Sequence, residues 1–301
     1  MLGNDVVAPH GPPTAERTLG ELGYAAQDLA EIRRILHQPD GIVLAVGPAG
    51  SGRTASLHAM LEAIAPPCRR VRTIVDTVPR RGPGWLQGEA GDPEDGRGHD
   101  PLAAQFRRLL RSRPDAVLLA EIDSSEEAQM VLRAAQAGCR VFSALHGGRA
   151  HHVFSRFRAW GVAATDLADH LALVVAQRLV RALCRHCSLP DDSEAVRDAL
   201  IRAAEGWRIP SAARDSVQVR MAGPGGCNHC RGEGYRGHTL VYEWIEVDSG
   251  VRSLVEEGVG AMELERRLLA DGRSLWDCGL RLVVSGVTSL EALRAAVREP
   301  R

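Results

Sequence analysis

A glycine-rich turn between a strand and a helix constrains this chain more than any other feature of its sequence. The apolar run 42–46 is typical of a buried strand, and residues 55–61 are typical of a helix. Between them lies Gly47-Pro48-Ala49-Gly50-Ser51-Gly52-Arg53-Thr54. Glycines in this context let backbone N–H groups turn inward on a phosphate, and the helix N-terminus adds partial positive charge. The turn therefore predicts a phosphate-binding loop, with a ligand-free glycine-rich turn as the alternative.

Two residues of this loop bear directly on its chemistry. Thr54 stands where a hydroxyl would hold Mg²⁺, but Arg53 occupies the position at which the motif requires lysine. Lysine is a compact charge that fits between the β- and γ-phosphates, whereas arginine is longer, planar and bidentate. The sequence therefore predicts a nucleotide site whose binding and catalysis depend on how this arginine is accommodated.

Strands alternate with helices through the first part of the chain, which predicts a mainly parallel α/β sheet with right-handed crossovers. The predicted strands are 42–46, 71–75, 116–120 and 140–145. The predicted helices are 19–36, 55–61, 103–110, 126–137, 251–257, 261–270 and 289–297. The glycine- and proline-rich stretch 80–100 is predicted to be a loop. We expect four units, namely a loose N-terminal segment (1–16), a nucleotide-binding domain (17–180), a tetracysteine subdomain (181–246) and a C-terminal helical subdomain (247–301).

The composition excludes several classes of protein. The 301 residues are 25% charged and 45% apolar with a net charge of -1, typical of a globular protein without global attraction for nucleic acid or anionic membranes. No apolar run approaches the roughly 18 residues of a membrane-spanning helix. The N-terminus lacks the basic and apolar regions of a signal peptide. We therefore expect a cytoplasmic location, with the seven cysteines mostly reduced.

Four side chains outside the loop are candidates for catalysis. Glu121 follows the strand 116–120, at the end where ligands bind in open α/β sheets, and a carboxylate there can orient the attacking water or support Mg²⁺. His146 ends the next strand, where it can contact the γ-phosphate. Arg107 and Arg111 share one helix face, and arginines supplied across a subunit interface stabilise phosphoryl transfer. The plainer alternative for each is a solvated side chain at a strand end or on a basic helix face.

Two Cys-x-x-Cys pairs form the strongest local pattern in the second half of the chain. They consist of Cys184, Cys187, Cys227 and Cys230, with 188–226 between them. This arrangement predicts a four-thiolate zinc site, which is structural because no position is left open for water. Disulfide pairing is the alternative. The remaining cysteines, Cys68, Cys139 and Cys278, are interpreted as small apolar fillers.

In this order, these features resemble the type II secretion and type IV pilus assembly ATPases from about Leu19 to Glu291. The matching segments are Gly20-Glu21-Leu22-Gly23, the loop 47–54, Thr73-Ile74-Val75-Asp76, Glu121-Ile122, Leu145-His146, the run from Ala176 to Cys184, Gly234-Tyr235-Arg236-Gly237, Tyr242-Glu243 and the run from Gly286 to Glu291. The resemblance implies a RecA-like P-loop NTPase domain that binds ATP and Mg²⁺ through residues 47–54 and Asp76, with a structural zinc. It also implies a homo-hexamer that couples ATP hydrolysis to pilus or pseudopilus assembly or to secretion. Such a ring meets the membrane only through an inner-membrane platform protein and has no nucleic-acid partner.

The chain departs from the family pattern around this one site. Arg53 replaces lysine, Val75 and Pro79 replace two glutamates, Asp123-Ser124 replaces Arg-Asp, and Gly147-Gly148 replaces Thr-Asn. The family's N-terminal lobe also has no counterpart in the residues before the loop. We therefore expect weakened hydrolysis, and the alternative is a non-hydrolysing nucleotide-binding or structural ring subunit that partners an active ATPase.

A nucleic-acid-binding zinc ribbon is a third possibility, from another class of protein. Basic residues near the cysteines motivate it, namely Arg178, Arg181, Arg185 and Arg231. The aromatic content of 4% and the near-neutral charge argue against it, because single-stranded nucleic acids are bound by aromatic stacking and basic grooves.

Overall fold

The computed structural model describes residues 17–64, 70–75, 86–89, 106, 109–199, 219–268 and 273–299. Its strands are β1 (Gly41–Val46), β2 (Val71–Val75), β3 (Leu86–Glu89), β4 (Ala116–Ile122), β5 (Arg140–Leu145), β6 (Leu171–Leu183), β7 (Leu189–Pro190), β8 (Arg220–Met221) and β9 (Tyr235–Glu246). Its helices are α1 (Leu19–Leu22), α2 (Ala26–Leu36), α3 (Arg53–Ile64), α4 (Ser125–Gln136), α5 (His152–Ala159), α6 (Ala164–His170), α7 (Ser249–Glu256), α8 (Ala261–Leu268), α9 (Leu275–Val284) and α10 (Leu290–Ala296). None of these helices has the length and apolar content needed to cross a bilayer.

Seven strands form one sheet in the order β3-β2-β4-β5-β1-β6-β9. Every neighbouring pair is parallel except β6 and β9, which are antiparallel. The predicted mainly parallel α/β sheet is therefore confirmed. In register, Val46 pairs with Leu145, and Glu121 pairs with Ala144. Because β4, β5 and β1 are adjacent and parallel, the loop after β1, Glu121 and His146 all lie at the same carboxyl edge.

Apolar side chains cover both faces of this sheet. On one face Ile42, Leu44 and Val46 of β1 pack against helices α4 to α8, and on the other Val43 and Ala45 pack against α1 to α3. Strands that are buried on both faces have continuous apolar sequences, as β1 does. The strands that end at the carboxyl edge are thus packed on both faces, which fixes the position of that edge.

The strands β6 and β9 are long, with thirteen and twelve residues. β6 begins beside β1 and runs past its end, and the antiparallel β9 starts at the far end of β6 and runs back along it. The cysteine segment lies between the two strands in sequence. A third core packs α9 and α10 against these strands, with Val180, Tyr235 and Leu280 among its members. The strands that flank the cysteines therefore belong to the main sheet, and the division into four units stays a prediction.

Two of the predicted elements differ in the structure. The helix predicted at 19–36 is two helices, because Gly23 has a φ of 112° and ends α1 in the left-handed conformation. The predicted loop at 80–100 is wrong at β3, whose register against β2 supplies ladder bonds that its own composition does not indicate. The sequence prediction also missed α9, although Ser274 and Asp277 form a capping box at its start. Of the predicted helix at 103–110, the described residues 106, 109 and 110 are helical, as is the next residue, 111.

Candidate nucleotide site and cysteine cluster

The loop from β1 into α3 has the backbone conformation of an anion cradle. The Gly47 N–H donates to the carbonyl of Leu145 at 3.1 Å, which ties the start of the loop to β5. Gly50 and Gly52 have φ values of 76° and 85°, in the left-handed region that glycine favours. A Cβ on Gly47 would lie 2.2 Å from Ser51 Oγ, so the loop closes too tightly for a side chain there.

The groups presented by this loop fit the phosphates of a nucleotide. The hydroxyl of Ser51 is buried and has no hydrogen-bond partner among the described residues. Helix α3 begins at Arg53, and the first N–H groups of a helix lack intrahelical partners. Thr54 is exposed in the first turn, where its hydroxyl is the candidate Mg²⁺ ligand. The donor set is thus that of a phosphate site with a place for a hard cation.

Arg53, which stands in the place of the motif's lysine, makes a bidentate ion pair with Glu121. Its Nη1 lies 2.5 Å from Oε1 and its Nη2 lies 3.1 Å from Oε2. The arginine side chain is 12% exposed and the glutamate 39%. A fork of two parallel bonds is the geometry in which guanidinium binds carboxylate best. In this conformation the arginine at the position of the motif's lysine and the candidate catalytic glutamate are paired with each other.

His146 is exposed where β5 ends, beside an open cleft of about 410 Å³. Its carbonyl accepts a bond from Arg156 Nη1 at 2.7 Å, while Arg178 Nη2 donates to the carbonyl of Gly148 at 2.9 Å. A Cβ on Gly147 would lie 2.7 Å from Cγ1 of Val46. The glycine at 147 therefore lets this loop lie closer to β1 than a threonine would allow.

A buried carboxylate to which the sequence analysis assigned no role anchors the same loop. Glu243 of β9 is 1% exposed, and its Oε1 accepts a bond of 2.7 Å from Ala150 N–H. Its Oε2 accepts from Leu275 N–H at 2.9 Å and lies 3.1 Å from Nε of Arg149. Burial raises the pKa of Glu243, against the lowering effects of Arg149 and the two backbone donors. A glutamate among the apolar residues of β9 was the available signal.

His151, next in this loop, is also buried, at 2% exposure. Desolvation lowers the pKa of its imidazole to about 4, and the charges of His152 and Arg149 act in the same direction. The side chain is therefore neutral at pH 7.

The remaining predicted catalytic residues are not brought to Glu121 within the described part of one chain. Arg111 is exposed near the amino end of β4, whereas Glu121 lies near its carboxyl end. At roughly 3.3 Å per residue, the five steps from Ala116 to Glu121 span about 16 Å. Arg107 and Asp76 lie outside the described residues.

The four cysteines of the two Cys-x-x-Cys pairs meet in one cluster. The Sγ atoms of Cys184 and Cys227 are 3.7 Å apart, those of Cys187 and Cys230 are 3.7 Å apart, and those of Cys227 and Cys230 are 3.8 Å apart. A tetrahedron with Zn–S bonds of about 2.3 Å has S···S edges of about 3.8 Å. All four cysteines are free, so the donor set and its spacing fit zinc.

Backbone donors around Cys230 favour its ionised form. Desolvation raises the pKa of this thiol, but N–H bonds from Cys227 and Gly234, at 3.1 and 3.2 Å, outweigh it and lower the pKa to about 6. Gly226 has a φ of 59°, and a Cβ there would lie 2.4 Å from the carbonyl carbon of Gly232. The tight turns that place these N–H groups therefore depend on glycine.

The parallel sheet with a glycine loop at its carboxyl edge defines the class of P-loop nucleotide-binding folds. The family model for "Type II/IV secretion system protein" matches residues 7–295. The chain therefore belongs to this family of secretion and pilus proteins.

Individual relatives agree with this assignment. The chain is 31% identical to the type II secretion system ATPase E of Vibrio cholerae, over 93% of its own length and 53% of that protein. It is 32% identical to the type IV pilus assembly ATPase PilB of Acinetobacter baylyi, over 96% of its own length and 48% of that protein. The solved structure of the Legionella pneumophila ATPase DotB superposes with a TM-score of 0.65 at 16% identity, covering 94% of this chain and 66% of DotB, which supports the fold. The chain thus spans about half the length of the curated relatives it matches.

Proposed function

We propose that this chain is the nucleotide-binding motor part of a type II secretion or type IV pilus assembly system. It would act in the cytoplasm as a subunit of a homo-hexameric ring, with an inner-membrane platform protein as its partner. Family membership supports this proposal, as do relatives that are themselves named ATPases. The observation that carries it is the phosphate cradle at 47–54, which faces Glu121 and His146 across the carboxyl edge.

Each residue of the site has a proposed role in binding and hydrolysing ATP. The backbone N–H groups of 47–52 would bind phosphate, and Thr54 would hold Mg²⁺, which would supply charge neutralisation for phosphoryl transfer. Glu121 orients the attacking water. The γ-phosphate and the charge that develops on it would be met by His146, Asp76, Arg107 and Arg111, the two arginines acting from a neighbouring subunit.

The Arg53–Glu121 ion pair sets the expected rate. A carboxylate held in a bidentate fork cannot at the same time orient water, so Glu121 has to leave Arg53 before hydrolysis. An incoming triphosphate competes for the same guanidinium and would release the glutamate. Binding and activation are therefore coupled, and we expect turnover to be slower than in relatives that carry lysine.

The test compares Mg²⁺–ATP binding and phosphate release in the wild type, Arg53→Lys and Glu121→Gln. Lysine cannot make the two-bond fork, so Arg53→Lys is expected to raise turnover roughly tenfold, which is about 1.4 kcal/mol in barrier height. Glu121→Gln is expected to bind nucleotide without releasing phosphate. Arg34→Lys is the control, because Arg34 pairs with Glu246 at the surface away from the loop.

The outcomes separate the candidate functions. Absence of nucleotide binding by the wild type would overturn the motor proposal. Tight binding without phosphate release, in both the wild type and Arg53→Lys, would favour the second candidate, a non-hydrolysing ring subunit. The specific observation behind that candidate is the same ion pair, which engages both catalytic groups.

For the cysteine cluster we propose one structural zinc ion bound by Cys184, Cys187, Cys227 and Cys230. The support is a set of four thiols within 4.8 Å of one another, which would fill all four positions of a tetrahedral site and leave none open for water or substrate. The expected effect of the ion is on the stability of the segment between β6 and β9.

A further inference from the structure

A buried glutamine lies directly beneath the phosphate loop. Gln177 follows the apolar run 171–176 in β6 and has no exposed surface. Its Nε2 donates to the backbone carbonyl of Ser51 at 2.8 Å, and its Oε1 accepts from the hydroxyl of Tyr24 at 3.2 Å. A polar side chain in this apolar environment is thus bonded at both ends.

The two bonds together determine which way the amide points. A carbonyl oxygen can only accept, so the end of the amide that faces Ser51 has to be the NH₂ group. The oxygen is then left for the Tyr24 hydroxyl. That hydroxyl is held in place because the Tyr24 ring is buried and lies 4.7 Å from the ring of Tyr242.

The loop also packs against the same residue at both of its ends. A Cβ on Gly47 would lie 2.8 Å from the carbonyl oxygen of Gln177, and a Cβ on Gly52 would lie 3.2 Å from its Nε2. Gly47 does not have a positive φ, so its lack of a side chain is required by this close approach and by Ser51. Gln177 therefore packs against both ends of the loop and supports it from the side of β6.

The bond to Ser51 has a consequence for the next amide. The described chain has no cis peptide bonds, and in a trans peptide the C=O and N–H groups point to opposite sides. Because Gln177 draws the Ser51 carbonyl toward β6, the Gly52 N–H points to the opposite side, away from β6. An N–H directed into the concavity of a phosphate loop attracts phosphate, whereas a flipped peptide would present a carbonyl and repel it.

We propose that Gln177 is a positioning residue of the nucleotide site, which holds the Ser51–Gly52 peptide so that its N–H faces the phosphates. This inference rests on the proposed nucleotide-binding function. It assigns to β6 a part in phosphate affinity that acts through the loop backbone.

The experiment uses the full chain and two ligands, sodium tripolyphosphate and Mg²⁺–ADP. Gln177→Leu removes the donor, and Gln177→Glu keeps the shape but places an acceptor opposite the Ser51 carbonyl. Both variants are expected to weaken tripolyphosphate binding at least tenfold. Tyr24→Phe removes the bond to Oε1 but keeps the bond from Nε2 to Ser51, and is expected to weaken tripolyphosphate binding less. Ser143→Ala removes a buried hydroxyl of β5, which pairs in register with Leu44 and not with the loop, and is the control for general loss of packing.

NMR provides a readout that general destabilisation would not move. The Ser51 carbonyl-carbon resonance reports the bond from Gln177 without any ligand, and it should shift in Gln177→Leu but not in Ser143→Ala. The Gly52 amide resonance should move on addition of tripolyphosphate in the wild type and stay in place in Gln177→Leu.

The failures are distinguishable. An unchanged Ser51 resonance in Gln177→Leu overturns the inference, whatever the ligand does. Equal tripolyphosphate affinity in folded wild type and Gln177→Leu also overturns it, with the nucleotide function intact. A wild type that binds neither tripolyphosphate nor Mg²⁺–ADP overturns the proposed function, and with it the claim about affinity.

Discussion

The phosphate loop and the cysteine cluster both lie along β6, and they differ in what their function depends on. The loop faces the middle of the strand at Gln177, and the cluster begins with Cys184 just after its end. In the proposed function the loop would bind phosphate through backbone N–H groups, and its glycine-dependent turn is present although Arg53 stands at the position of the motif's lysine. The cluster would bind zinc through four side chains, whose sulfur atoms all lie within 4.8 Å of one another.

The difference teaches which substitutions a site tolerates. A backbone cradle survives the replacement of a side chain, because its geometry depends on close contacts such as that between Gly47 and Ser51. A four-thiolate cluster does not tolerate such a replacement, because each side chain supplies one of the four metal ligands. The same loop can therefore keep its shape while its chemistry changes, as the pairing of Arg53 with Glu121 indicates.

The largest effect is expected from Cys227→Ser. Structural zinc in small zinc-finger peptides contributes apparent free energies of ~10–16 kcal/mol, so loss of one ligand should release the metal and loosen the segments 184–199 and 219–234. Metal analysis should fall from about one zinc per chain to near zero. Limited proteolysis should cut these segments first, while β1 and α3 stay protected by their separate core. Cys139→Ala, a buried cysteine outside the cluster, should keep the metal. A wild type that is stable without metal would contradict the claim that the cysteine cluster, unlike the loop, depends on its side-chain ligands.

A smaller effect is expected when low pH protonates His151, a buried residue of the loop that follows β5 beside the nucleotide site. His151 has a pKa of about 4 when folded, against about 6.5 when unfolded, so the unfolded chain binds more protons between these values. The contribution of His151 to the free energy of unfolding is therefore fully present above pH 6.5. It is lost as the pH falls toward 4, by about 3 kcal/mol in total.

Urea unfolding at pH 7.5 and at pH 4.5 measures this loss, with His151→Gln as the matched variant. The variant should lose less stability over the same interval, because its side chain does not titrate. Metal release from the cysteines at low pH affects both proteins equally, so it cancels in the difference. Identical losses in the two proteins would contradict the assignment to His151.

The smallest effect on stability is expected from alanine in the loop, and it tests whether the cradle is held by contact or by backbone angle. In Gly47→Ala the new Cβ meets Ser51 Oγ at 2.2 Å, which should cost roughly 1–3 kcal/mol and weaken Mg²⁺–ADP binding more than tenfold. In Gly50→Ala nothing lies within 4 Å, and only the φ of 76° opposes the change, at a cost of about 1 kcal/mol. Calorimetric titration and thermal unfolding of both variants give the comparison. Equal losses of affinity would mean that contact with Ser51 and Gln177 does not shape the loop.

The fold could be predicted wherever local pattern and tertiary environment agree. The run 42–46 is apolar because β1 is buried on both faces, so its strand and the following loop and helix were correctly placed. The strand β3 was missed because an edge strand is defined by its register with β2 and not by its own glycine-rich sequence. The split at Gly23 was missed because apolar spacing continues through both helices while the backbone does not.

The sequence by itself determined what is carried by the backbone and by short spacing. The glycines of 47–54 specify a turn that few other residues permit, and the two Cys-x-x-Cys pairs specify four sulfur ligands. The turn is observed because its constraint lies within a few residues, where steric exclusion is independent of the rest of the chain. The spacing within each Cys-x-x-Cys pair likewise sets the type of ligand, although the meeting of the two pairs depends on the fold.

Only the tertiary structure decided which distant side chains meet. The strand order β4-β5-β1-β6 places Arg53 against Glu121, 68 residues away in sequence, and places Gln177 against Ser51, 126 residues away. The same packing buries Glu243 against the loop that follows β5. Neither partner in such a pair carries a local signal for the other, because the contact arises from the register of neighbouring strands. Whether Arg53 meets a phosphate or a carboxylate is therefore a property of the folded sheet.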